Sequence, residues 1–224
     1  MVKKFIKGGY IFLVLAFLYA PIFLLVVCSF NASKEIGNWS PEWGLQHYKL
    51  LFTNQKILTA VSNTLILALV SACIATVLGT MGAIGAFYSK KRTQKLLGAA
   101  TQIPVISAEI VTGISLAMVF VFFGFYRTWA SLIIAHVVIC FPYVFLNVLP
   151  KLKQLNPNLY EAGLDLGATP IKALFTIIIP EILPGIFSGF MLAVTMSLDD
   201  YIITSFTKPA TLETISTYTY TAYA

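Results

Sequence analysis

The chain has 224 residues and 24.6 kDa, with 58% hydrophobic and 11% charged residues, a formal charge of +6 and a mean hydropathy of +0.84. A soluble domain carries about 25% charged residues, so the composition argues against a water-soluble enzyme, and its apolar surplus excludes a disordered chain. Nucleic-acid binding is disfavoured too, because the positive charges lie in loops between apolar segments.

Five apolar stretches are long enough to cross ~30 Å of hydrocarbon, which takes roughly 20 helical residues. The first, residues 10–30, has no charge and one proline, Pro21, and follows Lys3, Lys4 and Lys7. It exceeds the ~7–15 apolar residues of a signal peptide and no Ala-x-Ala-like site closes it, which predicts a retained helix. The loop after it, residues 31–56, carries Trp39, Trp43 and Tyr48, aromatics suited to a membrane interface. Asn31-Ala32-Ser33 matches a glycosylation sequon by pattern alone.

The second stretch, residues 57–87, has a row of small residues, Ser71, Ala75, Gly79 and Ala83, with Gly82 and Gly85 beside it. Such a row lets another helix approach closely; packing within the chain is the expectation, a subunit interface the alternative. The third stretch, residues 96–125, reads as a single helix with Glu109 near mid-depth. The fourth spans residues 129–149. The fifth, residues 177–206, carries Asp199, Asp200 and Tyr201 near one end. All five are expected as helices, because lipid offers no partner to unpaired backbone groups.

The basic residues predict a cytoplasmic N-terminus. In that orientation ten of the fifteen fall inside, in residues 3–7, 90–95 and 151–172; the five outside are Lys34, Lys49, Lys56, Arg127 and Lys208. The Tyr/Thr-rich stretch 208–224 would lie outside.

Residues 151–180 form the informative inner segment. Asn156-Pro157 is a good N-cap and first-turn pair, Gly167 a good stop, and Thr169-Pro170 a second start. Two short helices, about 157–166 and 170–180, are predicted to meet at a glycine turn. The first is ~15 Å long, too short and polar to span but well shaped to dock in the groove of a soluble partner.

Acids inside a membrane are costly and usually functional. Glu109, Asp199 and Asp200 have no Lys or Arg within the helices to pair with, so they predict an attraction for a cationic solute, to which Tyr201 could add a cation–π contact. Adjacent helical residues are ~100° apart, so at most one of the two aspartates should face a pathway squarely. Cys28, Cys73 and Cys140 form no CxxC pair, and His136 and Cys140 lack further ligands nearby, so no metal site is expected. No HExxH, GxSxG or GxxxxGK[ST] occurs, which leaves an intramembrane enzyme as a remote alternative and gives the chain no catalytic residues and no nucleotide site of its own.

Glu161-Ala162-Gly163, then Gly167, then Ile177-Ile178-Ile179-Pro180 resembles the EAA loop of the type I ABC importer permeases. Gly163 replaces the second alanine and Ile179 the usual leucine. The resemblance implies an all-α, polytopic membrane helix bundle, a single permease domain over residues 1–224 with its coupling loop at 151–180. It implies that Glu161, Ala162, Gly163, Asp165 and Gly167 belong to a coupling helix seated in a cleft of a partner ATPase. Ser197-Leu198-Asp199-Asp200, Pro104 with Glu109-Ile110, and residues 135–142 resemble the spermidine/putrescine permease subfamily, in particular its second, C-type subunit.

That likeness implies polyamine import through alternating access, with Glu109, Asp199, Asp200 and Tyr201 along the substrate pathway. Other permeases of this type would carry an amino acid, thiamine, iron or an oxyanion. The partners implied are a sister permease, two copies of a cytoplasmic ABC ATPase that binds ATP and Mg, and an extracytoplasmic substrate-binding protein, all at a bacterial cytoplasmic membrane. The subfamily has six spanning helices, so the chain ending at Ala224 reads as truncated before the sixth.

Overall fold

The computed structural model describes residues 2–33, 39–156 and 158–223, the side chains of residues 2–7 and 223 excepted. The described residues are helical almost throughout and divide into two units, Met1–Leu58 and Thr59–Ala224.

The first unit contains α1 (Val2–Ser29), α2 (Gln46–Thr53) and the start of α3 (Gln55–Phe87). Pro21 is accommodated inside α1. The connection after α1 is held by Asn31, which is 3% exposed. Its Oδ1 accepts from the Ser33 and Ser40 amides at 3.1 and 3.0 Å, and its Nδ2 donates to the Ser40 carbonyl at 2.9 Å. The amide of the sequon is therefore spent inside its own loop.

The second unit continues α3 and adds α4 (Lys91–Ile106), α5 (Glu109–Phe122), α6 (Trp129–Gln154), α7 (Asn158–Asp165), α8 (Pro170–Ala173), α9 (Ile179–Asp199), α10 (Ile202–Thr207) and α11 (Ile215–Tyr223). α6 is its axis. It starts with a reciprocal cap between Thr128 and Ser131 and buries Leu132, Ala135, His136, Cys140, Val144 and Val148. The small-residue row of α3 packs inside the chain: Ser71, Ala75, Gly79 and Ala83 are all buried, and a Cβ at Gly79 would lie 2.8 Å from the Val144 side chain. α9 meets the same ridge from another side, where a Cβ at Gly189 would lie 3.0 Å from Val144 Cα. Missing side chains thus bring three helices together around one valine, which is how helices gain dispersion contact where lipid removes the hydrophobic drive. The opposite face of α3 exposes Leu65, Ile66, Leu69 and Val77, a surface unsuited to water.

Among the described residues four helices are long and apolar enough to cross a membrane: Gly8–Ser29, Gln55–Phe87, Trp129–Gln154 and Pro170–Asp199. The third predicted stretch departs from expectation. It is not one helix over 96–125 but a pair, α4 and α5, bent by 105°. The Ser107 amide and hydroxyl both close on the Ile103 carbonyl, at 3.0 and 2.8 Å, ending α4. Ser107 and Ala108 are then extended, and α5 restarts with Glu109 in its first turn, where a carboxylate suits the helix dipole.

The second short helix predicted at 170–180 is instead the opening of a helix that runs on to Asp199. Pro180 does not interrupt it, because residues Leu174–Ile178 widen into a π-helical turn. That turn relieves the missing donor and the ring clash a proline brings to a regular helix. The fifth predicted span is also shorter than expected: it stops at Asp199, and α10 follows a turn at residues 200–201.

Candidate functional site: a carboxylate cavity and a projecting helix

The breaks that sequence patterning missed create the first site. The α4–α5 bend and the α9–α10 turn face each other across a cavity of about 430 Å³ floored by Ile139 and Tyr143 of α6. Glu109, Asp199, Asp200 and Tyr201, separated by up to 92 positions, all line it. α5 reaches α10 closely because residue 113 is glycine; a Cβ there would lie 3.0 Å from the Phe206 ring.

The acids divide by environment. Glu109 and Asp199 are exposed, and among the described residues no hydrogen bond or ion pair engages their carboxylates. Asp200 is different: its side chain is 5% exposed. Its Oδ2 accepts from the Thr204 amide and from the Thr204 hydroxyl, both at 2.7 Å, and its Oδ1 from the Ile203 amide at 3.3 Å. It therefore caps α10. Tyr201 stacks one face on Tyr220 of α11 with ring centroids 4.3 Å apart, and the Ser216 hydroxyl of α11 donates to the Asp200 carbonyl at 2.9 Å. The described lining includes no Lys or Arg.

Sequence reasoning missed Thr112, Tyr143 and Thr195 in this wall. The signal was periodicity: Thr112 and Thr195 lie three and four residues from Glu109 and Asp199, and Tyr143 lies two turns beyond His136. His136 and Cys140 do not converge on a common ligand position. His136 is bonded to Ser197 and Thr204 at 2.7 and 2.9 Å, while the Cys140 thiol donates to the Ala193 carbonyl at 3.2 Å. No cluster of three metal-ligating side chains occurs among the described residues.

The second site is α7. Pro157 lies outside the described residues; the Asn156 side chain accepts from the Asn158 amide at 3.0 Å. At the other end Gly167 has φ +83°, the Gly167 amide donates to Leu164 O at 2.9 Å and the Ala168 amide to Gly163 O at 3.1 Å. This is a Schellman stop, and its left-handed residue is the reason for glycine there. Thr169 then caps α8, accepting from the Lys172 amide at 3.4 Å.

Gly163 faces inward, and any side chain there would collide with Ile177. Its departure from the alanine of the EAA pattern thus matches a close seat of α7 on the π-helical turn. Glu161, Ala162 and Asp165 face outward, and Leu166 is 90% exposed at the tip. Tyr160 packs on Tyr88 with ring centroids 5.5 Å apart, linking α7 to the end of α3. Burial and the neighbouring Tyr160 hold the Tyr88 phenol above its usual range.

Comparison with known proteins agrees with this architecture. Residues 75–224 match the family described as "Binding-protein-dependent transport system inner membrane component". The spermidine/putrescine transport system permease protein PotC of Escherichia coli (strain K12) is 32% identical over 209 residues, covering 92% of this chain and 78% of that protein. The putrescine transport system permease protein PotI of the same strain is 36% identical over 197 residues, covering 85% and 70%. Among solved structures, a bacterial ABC transporter involved in import of the acidic polysaccharide alginate superposes with a TM-score of 0.74 at 19% identity, covering 98% of this chain and 82% of that one. The chain belongs to the inner-membrane permease family of binding-protein-dependent transport systems, as a multi-pass, non-catalytic subunit of an ABC importer.

Proposed function

We propose that this permease carries a polyamine such as spermidine or putrescine toward the cytoplasm, with its N-terminus and α7 on the cytoplasmic side. The observation that carries the reading is the cavity walled by Glu109, Asp199 and Asp200 with no basic residue in its described lining. A carboxylate and an ammonium ~4 Å apart attract by roughly 4 kcal/mol at an effective dielectric of 20, and an anion at the same place would be repelled by a similar amount. Two open carboxylates suit a solute with more than one separated ammonium. Tyr201 keeps one ring face free of Tyr220 for a cation–π contact. The likeness to PotC and PotI supports the same solute class.

Transport follows from the second site. Glu161, Ala162, Gly163, Asp165 and Gly167 form the coupling helix of residues 151–180, which sits in a cleft of a partner ATPase. Two ATPase copies bind ATP and Mg. Their closure draws together α7 and its counterpart in a sister permease, and the membrane helices switch from inward-open to outward-open. An extracytoplasmic binding protein then delivers the solute. A short helix between firm stops transmits such a displacement as a rigid lever.

The test is the ATPase rate of the whole reconstituted complex with its binding protein, screened over polyamines, amino acids, thiamine and oxyanions. Stimulation by spermidine or putrescine and by none of the others is expected. Stimulation by an oxyanion alone would overturn the solute assignment.

A further inference from the structure

We propose that His136 is a positioning residue for the cavity: through Ser197 and Thr204 it closes a one-way hydrogen-bond chain on Asp200 that fixes the α9–α10 turn and leaves Asp199, with Glu109, as the carboxylates open to cargo. The inference rests on the cationic-cargo reading above for its consequence in transport, but not for its geometry.

The direction of the chain follows from donor and acceptor inventory. An ionised carboxylate accepts only. The Thr204 hydroxyl has one proton and lies 2.7 Å from Asp200 Oδ2. Its other acceptor, the Asp200 carbonyl, is farther at 3.2 Å and is already served by Ser216. Thr204 Oγ1 therefore donates to the carboxylate and must accept from His136 Nε2 at 2.9 Å. In the neutral ring Nδ1 is then an acceptor, and the Ser197 hydroxyl donates to it at 2.7 Å. Every donor points toward Asp200.

The placement makes this chain mechanical. His136 is 0% exposed on α6, Ser197 is on the last turns of α9 and Thr204 is on α10. One ring thus ties the axis helix to both sides of the turn at residues 200–201. His136 Nε2 also lies 3.7 Å from Asp200 Oδ2. With backbone amides and Thr204 donating to it, and the histidine behind Thr204, the Asp200 carboxylate keeps its charge but has its acceptor sites occupied within the protein. Its neighbour Asp199, the last residue of α9 before the backbone turns extended at Asp200, is the aspartate left open to the cavity.

The test uses the complete transporter in lipid vesicles, both permeases, ATPase and binding protein included. Thr204→Val keeps the shape and removes the hydroxyl; Thr204→Ser keeps the hydroxyl and removes the methyl. Two readouts are taken: the KM of spermidine uptake, and the rate of maleimide labelling of Tyr201→Cys, which reports the turn whatever the cargo is. Thr204→Val and His136→Leu are each expected to raise the KM about tenfold, the equivalent of losing one bond to a charged group. Each should also change the labelling rate severalfold, with the double variant no worse than either single one.

Thr204→Ser and His136→Gln, which keeps a donor toward Thr204, are expected to stay near wild type. Unchanged labelling in Thr204→Val and His136→Leu overturns the proposal. So does a Thr204→Ser variant as impaired as Thr204→Val, because packing of the methyl would then be the role of residue 204. Changed labelling with an unchanged spermidine KM supports the chain and counts against the cationic cargo instead. Where Thr204→Val or His136→Leu prevents assembly, the Thr204→Ser and His136→Gln comparison still decides: both near wild type supports the chain, and both impaired overturns it.

Discussion

Neutralising the open carboxylates is expected to remove polyamine uptake while leaving the transporter assembled. Glu109→Gln and Asp199→Asn each keep the side-chain size and delete one charge. Both groups are exposed to the cavity and, among the described residues, engage no internal partner, so neither substitution orphans a buried donor. The direct cost is lost attraction for an ammonium, roughly 1.5–3 kcal/mol per charged hydrogen bond, or about tenfold to a hundredfold in uptake KM for each variant. The double variant should fall to background. Uptake by either single variant indistinguishable from wild type, with normal assembly, would remove that residue from the pathway. Equal uptake by the double variant would remove the acidic cavity altogether.

Reversing the charge at the head of α7 is expected to have an effect as large by a different route. Glu161 lies in the first turn of α7, exposed and directed away from the bundle. Glu161→Arg places a cation at the positive end of the helix dipole and inverts the charge at the surface proposed to meet the ATPase. On the proposed coupling role this is the surface through which the ATPase moves the membrane helices, so uptake should drop at least a hundredfold and the ATPase should co-purify poorly. The cavity stays intact, and binding of the sister permease should persist. Retained ATPase association together with retained uptake would contradict the coupling role of α7.

Much of this architecture was legible in the chain. Apolar length identified the spans, the row from Ser71 to Ala83 identified the packed face of α3, and Asn156, Gly167 and Thr169 marked the limits of α7 and the start of α8. What could not be read were departures from regular helix. Residues 170–180 read as a short helix of their own, yet the helix continues past Pro180 to Asp199 through a π-helical turn at Leu174–Ile178. Residues 96–125 looked continuous, because apolarity persists through the bend at Ser107 and Ala108, where the backbone turns extended. That bend turns Glu109 from a mid-helix acid into a cavity residue. The split between Asp199 and Asp200 was legible only as a rule that both could not face one way. Both line the cavity, but which of them stays open to cargo depends on the chain from His136, 64 positions before Asp200, and no local pattern carries that information.

The most direct measurement is charge-selective labelling of Asp199→Cys in the complete transporter, using positively and negatively charged methanethiosulfonate reagents of similar size. Glu109 and Asp200 remain in the wall, so the cationic reagent should react at least tenfold faster. Spermidine, added with binding protein and ATP, should slow that reaction. Equal rates for the two reagents, with no protection by spermidine, would contradict a cation-conducting cavity between the α4–α5 bend and the α9–α10 turn.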